Sequence, residues 1–203
     1  MSDMSKSSKR FMPTLILLAA NVAFYIFTSI AGGNFLETGN NVILQYGQVN
    51  SLVRSGYYWQ LFTSMFVHVN LIHLSGNMLF LLIFGLRAEE MFAIHEYLLI
   101  YFLGGLAGNL LTLLVWTEMI SAGASGAIFG MFGAVTIYVR RAVGQSIIGA
   151  LMYSFFLLMI NVGPSVNNLA HLGGLLVGLL IGYVLATRRK VRTVYKHNYS
   201  YYK

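Results

Sequence analysis

The sequence predicts an all-α membrane protein: a compact bundle of six transmembrane helices with both chain ends in the cytoplasm. Three observations predict it. The chain of 203 residues is 57% hydrophobic and only 9% charged, too apolar and charge-poor for an ordinary soluble domain. Its charges collect in tails and connectors, leaving uncharged runs of about 18 residues or more, the length that crosses a bilayer. Lysine and arginine also fall almost wholly on one side once six spans are drawn.

The elements follow in order. Residues 1–11 form a cytoplasmic tail carrying Lys6, Lys9 and Arg10. The first span, 12–32, is longer than a signal-peptide core and has no small-residue cleavage site, so it reads as an uncleaved helix. A long outer loop, about 33–69, contains Tyr57-Tyr58-Trp59, aromatic residues of the type favoured at the membrane interface. The remaining spans are read at 71–87, 95–116, 124–140, 145–162 and 167–187, closing a membrane domain over 12–187. Residues 188–203 form a basic, tyrosine-containing tail, expected to rest on anionic lipid headgroups rather than on nucleic acid.

The distribution of basic residues checks this topology independently of hydropathy. With the N-terminus inside, Lys6, Lys9, Arg10, Arg87, Arg140, Arg141, Arg188, Arg189, Lys190, Arg192, Lys196 and Lys203 are all cytoplasmic. Only Arg54 lies outside, and an odd number of spans would break the agreement. The net charge of +7 therefore reports topology, and no nucleic-acid partner is expected. The chain has no cysteine, which excludes disulfides, thiolate metal sites and a cysteine nucleophile.

Three polar strings interrupt the apolar chain: His68-Val-Asn-Leu-Ile-His73-Leu-Ser-Gly-Asn77, Gly123-Ala-Ser125-Gly126 and Ala170-His171-Leu-Gly-Gly174. They stand at the starts of spans two, four and six, which all run from outside to inside. At 1.5 Å per residue they share a depth within roughly 10 Å of the outer helix ends. Polar groups at that depth are costly and mark function by default. Helical phase brings them together. His73 and Asn77 are four apart and share a face. Gly174, Gly178 and Gly182 form a small-residue ridge on span six, and Gly126, Gly130 and Gly133 form a smooth strip on span four. Packing these surfaces carries His171 toward Ser125.

The chemistry this arrangement allows is acyl transfer. A serine hydroxyl is a weak nucleophile until a base takes its proton, and histidine titrates in the right range. The tetrahedral intermediate needs donors, for which His73, Asn77 and the N–H of Ser125 are candidates. No aspartate lies in the membrane region to orient His171, so a Ser–His dyad is the economical form.

These residues resemble the signature of the rhomboid family of intramembrane serine proteases. Gly123-Ala-Ser125-Gly126 is similar to its GxSG motif, and Ala170-His171-Leu-Gly-Gly174 with Gly178 to its AHxxGxxxG motif. His68, His73 and Asn77 fit its HxxxxHxxxN pattern. The resemblance covers the six-span core. It implies a rhomboid-like bundle with an outward cavity, Ser125 as nucleophile, His171 as base, and His73, Asn77 and the Ser125 N–H as the oxyanion hole. It makes Gly123, Gly126 and Gly174 supporting residues, and Phe129 the aromatic residue packed beneath the histidine. It places the flexible access side at span five and Val162-Gly-Pro164-Ser165. The implied substrate is a single-pass membrane protein cut in or near its membrane segment; no cofactor and no metal are implied. One departure stands out. Many members carry Trp-Arg where this chain reads Trp59-Gln60, so an arginine contact to Glu89, which takes the place of the family's span-two glutamate, is absent, and a less firmly anchored outer loop is expected with the chemistry untouched.

Taken singly, each motif has a plainer reading. Gly, Ala and Ser pack membrane helices, and a lone histidine or asparagine links them by hydrogen bonds. His68, five residues before His73, faces elsewhere and reads as a structural cap or loop hydrogen-bonder. His95 and His197 read as interfacial. The conjunction of the strings turns the reading to catalysis. Two other classes compete. A metalloprotease using His68, His73 and His171 lacks carboxylate ligands and a His-Glu-x-x-His string. A transporter or non-catalytic rhomboid-like binder would keep the bundle without the chemistry. The short tails lead to the expectation of a prokaryotic plasma membrane.

Overall fold

The computed structural model describes residues 12–115, 119–142, 144, 146–160 and 166–189. The expected tail 1–11, the tail from Lys190 onward and the segment Val162-Gly-Pro164-Ser165 lie outside the described residues.

Long helices form where the apolar runs predict them. They are α1 (Met12–Gly32), α5 (Leu71–Glu89), α6 (Ile94–Val115), α7 (Ser125–Ala142), α8 (Ile147–Ile160) and α9 (Asn168–Arg188). The first has the expected bounds, and the others differ from the expected bounds by one or two residues. Four of them, α1, α5, α6 and α9, are long and apolar enough to cross a membrane. Helix α7 is less apolar because neighbouring helices, rather than lipid, cover it: every residue from Gly126 to Val135 is buried. Among the described residues α8 covers 14 positions, about 21 Å.

At the centre, α9 packs most heavily on α7 and α6, and α6 on α7. The glycine strips make this possible. A Cβ on Gly174 would lie 2.8 Å from the Gly126 carbonyl carbon, and one on Gly178 would lie 2.7 Å from that of Gly130. On α6, a Cβ on Gly104 would come within 3.2 Å of the Gly130 Cα. Lipid offers no hydrophobic force between helices, so close backbone approach and dispersion take its place. The aromatic and aliphatic core of Leu81, Tyr97, Ile100, Tyr101 and Met131 fills the space between α5, α6 and α7.

The outer loop is more ordered than a polar linker. It folds into α2 (Asn40–Tyr46), β1 (Gln48–Val49), α3 (Asn50–Arg54) and α4 (Gln60–Thr63). An all-α reading misses the pairing of β1 with β2 (Ile120–Ser121), which joins antiparallel with Gln48 opposite Ser121 and Val49 opposite Ile120. The pairing ties the loop to the segment just before Ser125. Asn109 and Thr112 near the end of α6 complete the anchorage. The Asn109 amide donates to the Leu61 carbonyl (2.7 Å) and to the Ser64 hydroxyl (2.9 Å). Asn50 donates to the Thr112 carbonyl (3.2 Å).

Gln60 corrects the expectation drawn from the missing arginine. It is fully buried, accepts from the Val49 N–H (2.9 Å) and donates to the Leu44 carbonyl (2.7 Å). Glu89 sits at the other end of α5, where it accepts from the Thr14 N–H (2.7 Å) at the start of α1. A helix of 19 residues, about 28 Å, separates the loop from that carboxylate, so the loop is anchored without it.

Basic residues gather at the end opposite the polar strings. The Arg189 guanidinium pairs with Glu96, donates to the Met91 carbonyl (2.6 Å) and lies 5.9 Å from the centre of the Tyr138 ring. Arg141 lies the same distance over Tyr183.

Candidate active site

The starts of α5, α7 and α9 converge on one cavity of about 480 Å³. His73, Asn77, Gly123, Ser125, Gly126, Phe129 and His171 all line it.

Ser125 opens α7, where the backbone N–H groups of a first turn are unpaired. Its Oγ lies 2.9 Å from Nε2 of His171, one turn into α9. The His171 ring is almost buried and stacks on Phe129, with centroids 4.4 Å apart and planes 17° from parallel. That contact fixes the imidazole plane with its Nε2 edge toward the hydroxyl. The other ring nitrogen, Nδ1, has no hydrogen-bond partner among the described residues. The chain's one aspartate, Asp3, lies outside the described residues.

Gly123 turns the chain into α7 with φ of 128°, a region that L side chains rarely adopt. A Cβ there would also strike the His73 ring, 2.8 Å from Cε1 and 2.9 Å from Nε2. The turn is held from below, where the Gly123 N–H donates to the Ser64 carbonyl (2.9 Å). Glycine thus lets the imidazole edge of His73 rest directly over the turn that presents Ser125.

Asn70 caps α5 by accepting from the His73 N–H (2.8 Å), which sets the phase of the helix. His73 and Asn77 then share the cavity face, as their spacing requires. In this state Asn77 Nδ2 donates to the His73 carbonyl (2.9 Å). Gly126 and Gly174 meet backbone to backbone just inside the Ser125–His171 pair.

His68 behaves as a loop hydrogen-bonder. It is fully buried, its Nδ1 lies 3.2 Å from the Phe66 carbonyl, and its own carbonyl accepts from the Thr38 hydroxyl (2.6 Å). Burial, with His73 beside it, holds its imidazole down to about 3, so it is neutral at physiological pH. Its ring meets His73 edge-on at 5.2 Å. His95 is exposed at the start of α6, and His197 lies outside the described residues.

Sequence reasoning passed over a second layer of polar residues. Asn167 caps α9 and touches Ser121 and Thr112, while Ser64 and Asn109 support the turn at Gly123. An asparagine just ahead of an apolar helix is a recognisable N-cap signal. Its cross-helix partners have no signal in the chain.

Fold and site together define a multi-pass helical membrane protein with a serine–histidine pair enclosed between its helices. Comparison with known proteins gives the family. The rhomboid domain matches residues 55–188. Rhomboid protease GluP of Bacillus subtilis (strain 168) is 31% identical over 186 residues, covering 85% of this chain and 34% of that protein. RHOMBOID-like protein 6, mitochondrial, of Arabidopsis thaliana is 33% identical over 169 residues, covering 79% of this chain and 55% of the relative. RHOMBOID-like protein 2 of the same plant is 40% identical over 142 residues, covering 64% and 43%. The chain spans about half the length, or less, of these relatives. It belongs to the rhomboid family.

Proposed function

We propose that this chain is an intramembrane serine endopeptidase that cleaves single-pass membrane proteins in or near their transmembrane segments. The observation that carries the proposal is the 2.9 Å contact of Ser125 Oγ with His171 Nε2 inside a cavity. In this reading His171 Nε2 takes the hydroxyl proton as Oγ bonds to the scissile carbonyl carbon. The oxyanion that forms is met by the Ser125 N–H, His73 and the Asn77 amide, which turns from the His73 carbonyl. The imidazolium returns its proton to the leaving amine as the C–N bond breaks. Water then attacks the acyl-enzyme along the same proton path, releasing the acid and restoring Ser125. Phe129 keeps the imidazole in plane during both transfers. Gly123, Gly126 and Gly174 keep the backbones close enough for it.

The membrane arrangement belongs to the same proposal. All six long helices cross the bilayer, with the site near the outer face and both chain ends cytoplasmic. The basic last turns of α5 (Arg87), α7 (Arg140, Arg141) and α9 (Arg188) support this orientation. The proposed location is a prokaryotic plasma membrane.

The test is labelling of the purified protein with a fluorophosphonate. Ser125 Oγ should bond to phosphorus, fluoride should leave, and His171 should take the proton. Wild type should be labelled, Ser125→Ala should not, and His171→Ala should be labelled far more slowly. Asn77→Ala should cost a milder 10²–10³-fold in turnover of a membrane-embedded reporter, about 2.7–4 kcal/mol. A folded wild type that resists labelling would favour the non-catalytic binder. Activity that follows added zinc and is lost to a chelator would favour the metalloprotease.

A further inference from the structure

We infer that Asn167 is a positioning residue that locks the helix carrying His171 to the strand leading into Ser125. The inference rests on the serine–histidine reading above and deepens it.

Asn167 sits at the N-cap of α9, and its side chain divides its work between three elements. Oδ1 accepts from the Ala170 N–H (3.0 Å), which caps the helix. That contact also fixes which end of the amide is oxygen, since an N–H must meet an acceptor. Nδ2 is then free to donate twice. It reaches the Ser121 hydroxyl in β2 at 2.8 Å and the Thr112 hydroxyl in α6 at 2.9 Å. The Thr112 hydroxyl has two acceptors in reach, the Gly108 carbonyl (2.9 Å) and Asn167 Oδ1 (3.2 Å); the shorter contact takes its one proton, and its oxygen accepts from Asn167 Nδ2. Thr112 is fully buried and Ser121 nearly so, which strengthens each bond and makes its loss costly.

The geometry gives these bonds a purpose beyond capping. Ser121 stands four residues before Ser125, and Asn167 stands four before His171. Ahead of Ser125, the segment 121–124 has, among the described residues, two other polar anchors, the β1 pairing and the Ser64 carbonyl, and both belong to the outer-loop side. Asn167 ties the same segment to α9. The Gly126–Gly174 contact limits how closely α7 and α9 approach. It does not stop one helix from turning or sliding on the other, because glycine strips are smooth. The amide fork at Asn167 supplies that missing constraint. Catalytic geometry is steep, and a misplacement of about 1 Å can cost about 100-fold.

A cap and a lock can be separated by experiment. Serine at 167 keeps an N-cap oxygen but is too short to bridge to Ser121 and Thr112. Thr112→Val removes one bridging acceptor without touching the cap, and Thr112→Ser restores it. The assay is the rate of labelling by a fluorophosphonate, resolved into kinact and KI, alongside thermal unfolding of the same detergent samples. Asn167→Ser should lower kinact by about 10- to 100-fold with KI little changed, a loss larger than its fall in Tm accounts for. Thr112→Val should lower it in the same direction, and Thr112→Ser should recover most of the rate. The combination of Asn167→Ser with Ser121→Ala should be no worse than Asn167→Ser alone, since both remove one link. Wild-type kinact in Asn167→Ser, or losses that only track Tm, would overturn the lock and leave the dyad standing. Failure of wild type itself to label would instead overturn the reading on which the lock rests.

Discussion

The Gly126–Gly174 contact offers the sharpest test of how packing controls the site. Consider Gly174→Ala. The new Cβ would lie 2.8 Å from the Gly126 carbonyl carbon, about 0.6 Å inside the 3.4 Å of ordinary contact, and the adjoining oxygen demands more. Both partners are helix backbone, which cannot rotate away as a side chain can. The helices must therefore part. A retreat of 0.6 Å carries the 2.9 Å Ser125–His171 pair to about 3.5 Å, beyond a working hydrogen bond. Overpacking of this kind costs about 1–3 kcal/mol in stability. The catalytic loss should be larger, about 100-fold, because the pair sits one turn from the wedge. Gly182→Ala is the control. Its Cβ would strike Ala134 at 2.7 Å from Cα, but it lies 11 residues beyond His171, about 16 Å along the helix. The assay measures fluorophosphonate labelling and thermal unfolding on both variants. Gly174→Ala should unfold earlier and label about 100-fold more slowly, while Gly182→Ala should unfold earlier and label within a few-fold of wild type. Equal labelling losses in the two variants would refute the argument that local helix approach sets the dyad distance.

Three further outcomes are expected. Gln60→Leu strands the Val49 N–H and the Leu44 carbonyl, and at about 1–3 kcal/mol for each buried orphan it should lower Tm measurably; an unchanged Tm would remove Gln60 as the loop anchor. His68 should make the protein acid-labile. Its folded value of about 3 lies below the unfolded 6.5, so the unfolded state takes the proton first and stability falls as pH drops through 6.5, by about 2 kcal/mol at pH 5. Comparing Tm from pH 7.5 to 5 for wild type and His68→Gln should show a shallower fall in the variant, and identical slopes would exclude this linkage. The chain has no cysteine, so single-cysteine variants report topology cleanly: a thiol at Ser55 should react with an impermeant maleimide from outside intact cells and one at Thr187 should not, with the reverse pattern overturning the orientation.

Much of the architecture was legible along the chain because bilayer physics writes itself into linear sequence. A spanning helix must satisfy its own backbone and show lipid an apolar surface, so α1, α5, α6 and α9 announce themselves as long uncharged runs. The glycine spacing of α7 and α9 anticipated which faces meet, because only small residues let membrane helices approach. The polar strings pointed to Ser125, His171, His73 and Asn77, which line one cavity, for the same reason: in an apolar background, a hydroxyl, an imidazole or an amide needs a purpose.

What the sequence could not determine are the contacts made between residues far apart in the chain. Nothing in Gln48-Val49 foretells a strand partner some 70 residues away at Ile120-Ser121, since two-residue strands carry no periodic signal. The arginine-free loop looked loosened in sequence, whereas Gln60 is bonded on both sides within it. Asn167 reads as an ordinary helix cap until folding sets Ser121 and Thr112 beside it. Hydropathy fixes which segments become helices because that depends on each segment alone. Their mutual rotation, and hence a 2.9 Å approach of two side chains 46 residues apart, depends on every contact at once and exists only in the folded bundle.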